Sequence, residues 1–106
     1  IADSVKVKWH PQGCDTIESV FDHEFGHQLD YLLDIRSDKD IQKAWQAFKN
    51  LTPSDRRNTL SEYAYSDNKI AEFIAEGYAE YKNNPTPRKW AKIIGDWIES
   101  KVKKNE

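Results

Sequence analysis

From Ile17 to Leu33, apolar residues recur at three- and four-residue intervals: Ile17, Val20, Phe21, Phe25, Leu29, Leu32 and Leu33. This is the repeat of an amphipathic helix and predicts one over about residues 16–34, with Asp15 and Glu18 spaced as a capping box at its start. In a chain of 106 residues a helix that long has to organise much of the fold. A domain of this size buries only about 60 to 65% of its unfolded surface, so it needs either a well-patterned core or an extra staple, and a metal would be such a staple. The single cysteine rules out an intramolecular disulfide.

The rest of the chain reads as further helices. Ser37 and Asp40 signal a cap, after which Ile41, Ala44, Trp45 and Phe48 share one face before Pro53. Thr52-Pro53-Ser54-Asp55 opens a short helical turn, and residues 58–68 have loop composition. A helix over about 68–82 carries Ile70, Phe73, Ile74, Gly77, Tyr78 and Tyr81 on its apolar side and is ended by Asn83-Asn84-Pro85. Thr86-Pro87 starts the last helix, with Trp90, Ile93, Ile94, Trp97 and Ile98 at helical spacing and a Lys-rich tail beyond 100 expected to fray. At the other end Val5, Val7 and Trp9 alternate with Lys6, Lys8 and His10, a short strand stopped by Pro11 and Gly13. The expected fold class is mainly α (α+β), one domain spanning 1–106 with a short N-terminal β-strand. The missing initiator Met suggests a processed protein or a domain excised from a longer one.

Charge narrows the partners. Sixteen Lys+Arg against 18 Asp+Glu give a net charge of -2, with no strong electrostatic case for nucleic acid or an anionic membrane. No apolar run approaches the roughly 18 residues of a membrane span, and no signal-peptide pattern opens the chain, so localisation is not legible.

Inside the first helix stands His23-Glu24-Phe25-Gly26-His27, an H-E-x-x-H motif in the helical context that gives it meaning. At about 100° and 1.5 Å per residue, histidines four apart differ by about 40° in azimuth and one turn in height, so both rings can converge on one ion. Glu24 lies beside them, suited to hold a water. After His27 the sequence Gln28-Leu29-Asp30-Tyr31-Leu32-Leu33 lacks the Gly and the later His or Asp of the extended metzincin motif, which excludes that class. Asp34 falls one residue beyond that ligand position and would need the helix to break. The better third ligand is Glu72 or Glu76, which share a helix face four apart among Phe, Ile, Ala and Gly; Glu72 is preferred as ligand, with Glu76 backing an imidazole. Gly77 and Ala75 allow a close neighbour. His10 and Cys14 are metal-capable but read as a loop histidine and a small buried hydrophobe; Cys14 at a fourth zinc position is the outlying alternative.

The segment Phe21-Asp22-His23-Glu24-Phe25-Gly26-His27 through Asp30, together with Glu72-Phe73-Ile74-Ala75-Glu76-Gly77-Tyr78-Ala79-Glu80-Tyr81, resembles the catalytic-domain signature of the anthrax lethal factor-like metallopeptidases, gluzincins with similar segments in phage- and mobile-element-encoded proteins. The resemblance covers about residues 19–82. It implies a small zincin-like domain in which the H-E-x-x-H helix packs on a glutamate-bearing helix, one Zn2+ per chain on His23, His27 and Glu72, and a peptide or protein substrate. It also implies a tyrosine seven residues before Glu72, which selects Tyr65; Ser61-Glu62-Tyr63-Ala64 resembles the family's loop as well and would select Tyr63 if that loop holds a two-residue insertion.

The chemistry of such a site is attack by zinc-activated water on a peptide carbonyl, with Glu24 as general base and a tyrosine O–H stabilising the oxyanion. By analogy with zincins, the strand from Val5 to His10 would offer its edge to an extended peptide. The competing expectation is a non-catalytic zinc-stabilised structural or binding module of a phage or mobile-element protein, favoured by the small surface available for a cleft and opposed by the presence of Glu24 and by only three convincing ligands. Flanking domains would then matter for specificity.

Overall fold

The computed structural model describes residues 17–104. The expected N-terminal strand, the Asp15 capping signal, His10 and Cys14 lie outside the described residues. Five α-helices follow one another within them: α1 (Ile17–Leu33), α2 (Lys39–Lys49), α3 (Pro53–Thr59), α4 (Ile70–Asn83) and α5 (Lys89–Lys104). Short 3-10 helices occupy Ile35–Ser37 and Tyr63–Asn68. The mainly helical architecture expected from the periodicity is the one observed. No helix among the described residues is long and apolar enough to cross a membrane.

Local chemistry explains the boundaries. Asp34 adopts the left-handed conformation (φ 53, ψ 47), which an Asp tolerates better than most residues, and stops α1. The turn is clamped from within the helix: the buried carboxylate of Asp30 accepts from the Arg36 backbone N–H at 3.0 Å and from its guanidinium at 3.0 and 2.5 Å. Asp38, one residue after Ser37, is the N-cap of α2 and accepts from the N–H groups of Asp40 and Ile41. Ser37 instead donates to Asp34. Thr52 caps α3 through the Asp55 N–H, with Pro53 in the first turn, as its sequence predicts. The 58–68 stretch is less irregular than its composition implied, since Tyr63–Asn68 is 3-10 helix ended by Asn68 at φ 54. α5 runs through Lys104, past the point where fraying was expected.

The core lies between α2, α4 and α5. Trp45 and Phe48 of α2, Phe73 of α4 and Trp90 of α5 form one aromatic cluster with ring centroids 5.0 to 6.3 Å apart, walled by Ile41, Leu60, Ile74, Ile94 and Ile98. Such pairs add about 0.5–1.5 kcal/mol each beyond the area they bury. The stripe on α1 is only partly enclosed: Leu29 is buried and Leu33 half-buried, but Phe21, Phe25 and Leu32 are 50 to 69% exposed. α1 meets α4 through Asp22, His23, Gly26 and His27, with the Phe25 ring against Tyr78 beside them.

α4 is the central element and runs antiparallel to α1: Asp22 meets Asn83 (2.9 Å), His23 meets Glu76 and His27 meets Glu72. α5 closes on α4 through glycine contacts, with Ile94 over Gly77 and Tyr81 over Gly95. Three glutamates mark successive turns of α4: Glu72 and Glu76, which both face His23, and Glu80. The last is buried and held by Arg88, whose backbone N–H (2.9 Å) and guanidinium (2.6 Å at the shortest) donate to it. The same guanidinium donates to the carbonyls of Asn58 (2.6 Å) and Leu60 (2.9 Å), which fastens the end of α3 to α4.

Candidate metal centre

α1 brings His23 and His27 to α4 because Gly26 between them lets the helices touch. A Cβ on Gly26 would stand 3.0 Å from the Ala75 Cα and 3.3 Å from the Tyr78 Cβ. The first of these neighbours is backbone and cannot swing aside. Gly26→Val is therefore expected to cost about 1–3 kcal/mol by overpacking, read as a lowered denaturation midpoint, and to spread the histidines from Glu72. A variant as stable as wild type would show that the contact has slack.

Across the interface the ligand atoms converge. Glu72 Oε2 lies 3.4 Å from His23 Nε2, and Glu72 Oε1 lies 3.2 Å from His27 Nε2. One ligand atom from each of His23, His27 and Glu72 lies within 4.8 Å of the others, and the two imidazoles meet edge to face at 4.9 Å. Donors bound tetrahedrally to an ion at 2.0–2.2 Å stand about 3.3–3.6 Å from one another, close to the distance each imidazole nitrogen keeps from a different oxygen of Glu72.

Hydrogen bonding makes the same point. His23 Nδ1 is 2.8 Å from Glu76 Oε2 and, facing a carboxylate, acts as its N–H donor. That leaves Nε2 with a bare lone pair aimed at Glu72 Oε2, a buried oxygen that makes no hydrogen bond. Two acceptors facing each other need a positive charge between them, supplied by a proton or by a cation. Glu76, 1% exposed, holds the ring from behind and accepts from Ser61 Oγ at 2.9 Å. A carboxylate in this place fixes the tautomer and orientation of a metal-binding histidine.

Burial alone would depress the His23 pKa, but the hydrogen bond to Glu76 and the charges of Glu76, Glu72 and Glu24 outweigh it and hold it above 6.5. A raised folded-state pKa stabilises the fold most below the unfolded value of about 6.5 and progressively less as pH rises through the folded value. In chelator-treated protein the stability difference between wild type and His23→Asn is accordingly expected to shrink from pH 6 towards alkaline pH. A gap independent of pH in chemical denaturation would remove the charge from His23.

The remaining expected residues fall in distinct places. Glu24 projects to solvent, close enough for its charge to act on His23. The Tyr63 ring stands edge-on to His23 at 5.6 Å. Tyr65, preferred by spacing, is turned into the core: it lies 6.2 Å from the Trp45 ring, with the Arg56 guanidinium 4.0 Å over its face. The reason is geometric, because a 3-10 helix advances about 120° per residue and residues two apart point about 120° away from each other, onto different faces. Asp34 is exposed at the end of α1 and is not among the converging ligands. Ser61, which the sequence marked only as the first residue of the Ser61–Ala64 loop segment, sits buried behind Glu76, a placement that only the packed fold reveals.

The chain matches no protein-family model, no curated protein and no solved structure.

Proposed function

We propose that this chain is a zinc-dependent peptidase of gluzincin type, with His23, His27 and Glu72 holding the ion and Glu24 acting as general base. The observation that carries the proposal is the Glu72 carboxylate facing two imidazole nitrogens at 3.2 and 3.4 Å, with one of its oxygens buried and lacking a hydrogen bond. Two nitrogens and a carboxylate oxygen are a zinc-type donor set, and three protein ligands leave a fourth position open for water or substrate. A bound zinc would supply Lewis acidity and bring the pKa of its water near 7.

The chain's own residues do the rest. Glu76 holds His23 with its Nε2 lone pair toward the ligand cluster. Glu24, solvent-facing beside His23, takes a proton from the attacking water and hands it to the leaving amine. Tyr63, rather than Tyr65, is the phenol on the His23 side and the one suited to donate to a carbonyl oxygen as charge develops there.

The test is zinc stoichiometry after purification without added metal, with cleavage of a mixed-peptide pool read on the same samples. One zinc per chain with cleavage is expected for wild type. Glu72→Ala is expected to lose more than the 10–100-fold in affinity that removing an outer partner costs, and cleavage with it. Zinc bound tightly with no cleavage would move the chain to the class of zinc-stabilised binding modules; failure to bind supplied zinc would end both readings.

A further inference from the structure

We infer that Ser61 is a positioning residue, the joint through which the buried Glu76 carboxylate fixes both the His23 imidazole and the turn that carries Tyr63; this deepens the zinc-site reading and rests on it. Ser61 is 0% exposed. Its Oγ is 2.9 Å from Glu76 Oε1 and accepts the Ala64 backbone N–H at 3.2 Å. A serine hydroxyl has one proton, and Ala64 uses a lone pair, so that proton goes to the carboxylate. Glu76 then accepts from Ser61 through one oxygen and from His23 Nδ1 through the other, 2.8 Å away.

The consequence has two arms. On the His23 side, a carboxylate pinned at both oxygens cannot rotate, so the ring is held as the Nδ1–H tautomer with Nε2 bare toward Glu72. On the loop side, the Ala64 N–H bond closes the turn over Glu62 and Tyr63 and sets which of the two tyrosines faces His23. Ser61 itself cannot drift, since the residues before it are tied down: the Asn58 and Leu60 carbonyls accept from Arg88, and Thr59 Oγ1 accepts the Trp90 indole N–H at 3.1 Å.

The variants are Ser61→Ala, Ser61→Cys, which keeps the shape but offers only a weak S–H donor, and Glu76→Gln, alone and combined with Ser61→Ala. Two readouts are taken: zinc affinity by chelator competition, and the His23 tautomer from ring 15N chemical shifts in chelator-treated protein at a pH where the ring is neutral. Both serine variants are expected to bind zinc about 10–100-fold more weakly, the loss typical of a partner behind a ligand. Their His23 ring is expected to become a mixture of tautomers, and the double variant to lose no more than Glu76→Gln alone. Unchanged tautomer in the folded serine variants, or additive losses in the double variant, would overturn the proposal. Should wild type bind no zinc, the peptidase reading fails by itself, and the tautomer comparison still decides the role of Ser61.

Discussion

Glu24→Gln is expected to lower peptide cleavage by about 10²–10⁴-fold, the usual contribution of a positioned acid–base group, while zinc stays bound. Glu24 belongs to the motif but not to the converging ligands, which are His23, His27 and Glu72. Glutamine keeps the size and the hydrogen-bonding ability of the side chain and removes only the capacity to accept and release a proton. Because Glu24 projects to solvent, the exchange should change folding stability by no more than about 0.5 kcal/mol, so lost turnover would not be lost fold. The checks are single-turnover rates on a cleaved peptide and zinc content by metal analysis. A variant that cleaves at the wild-type rate would take Glu24 out of the mechanism.

Arg88→Ala is expected to destabilise the fold more than Gly26→Val does, although Arg88 makes no contact with the ligand cluster. Glu80 is 0% exposed, and Arg88 answers it through a backbone N–H and the guanidinium. Truncating the arginine leaves a buried carboxylate without its counter-charge, a loss of about 3–5 kcal/mol. In a domain near this size that lowers the melting temperature by more than about 12 °C. The carbonyls of Asn58 and Leu60 lose their donor at the same time, so the segment leading to Ser61 and Tyr63 should loosen and zinc affinity fall with it. Calorimetry checks the first effect and chelator competition the second. Replacing both partners, Glu80→Leu with Arg88→Met, should recover most of the stability because no charge is then left buried. A single variant that melts within a few degrees of wild type would mean that water reaches the carboxylate.

Helical segments were legible where periodicity is strong, and most of the ligand cluster was legible with them. His23 and His27 are four apart on one helix, so their convergence is a property of helical geometry and needs no tertiary information. Glu72 and Glu76 could be recognised as a pair with a shared face, and the close approach allowed by Ala75 is the contact that Gly26 makes. Helix ends were less legible: Ser37 and Asp38 are both good caps, and Asp38 prevails because the chain leaves the left-handed turn at Asp34 already committed to the Asp30 and Arg36 clamp. The apolar letters of α1 did not say which of them would be covered, since Phe21 and Leu32 fit helical spacing as well as Leu29 does and yet stay exposed.

What the sequence determined by itself is the short-range geometry: two imidazoles on one turn of helix and two carboxylates on one turn of another, with an apolar stripe on each long helix. The tertiary structure alone decided the assignments that depend on phase between distant segments. It placed Glu72 before the nitrogens and Glu76 behind one of them, and it turned Tyr63 rather than Tyr65 to the ring of His23. The phase of a 3-10 turn is set by the anchors that hold the chain where it enters. Here those anchors are the Ser61 hydroxyl on Glu76 and the Arg88 guanidinium on Leu60, contacts spanning 15 and 28 residues that no local pattern encodes.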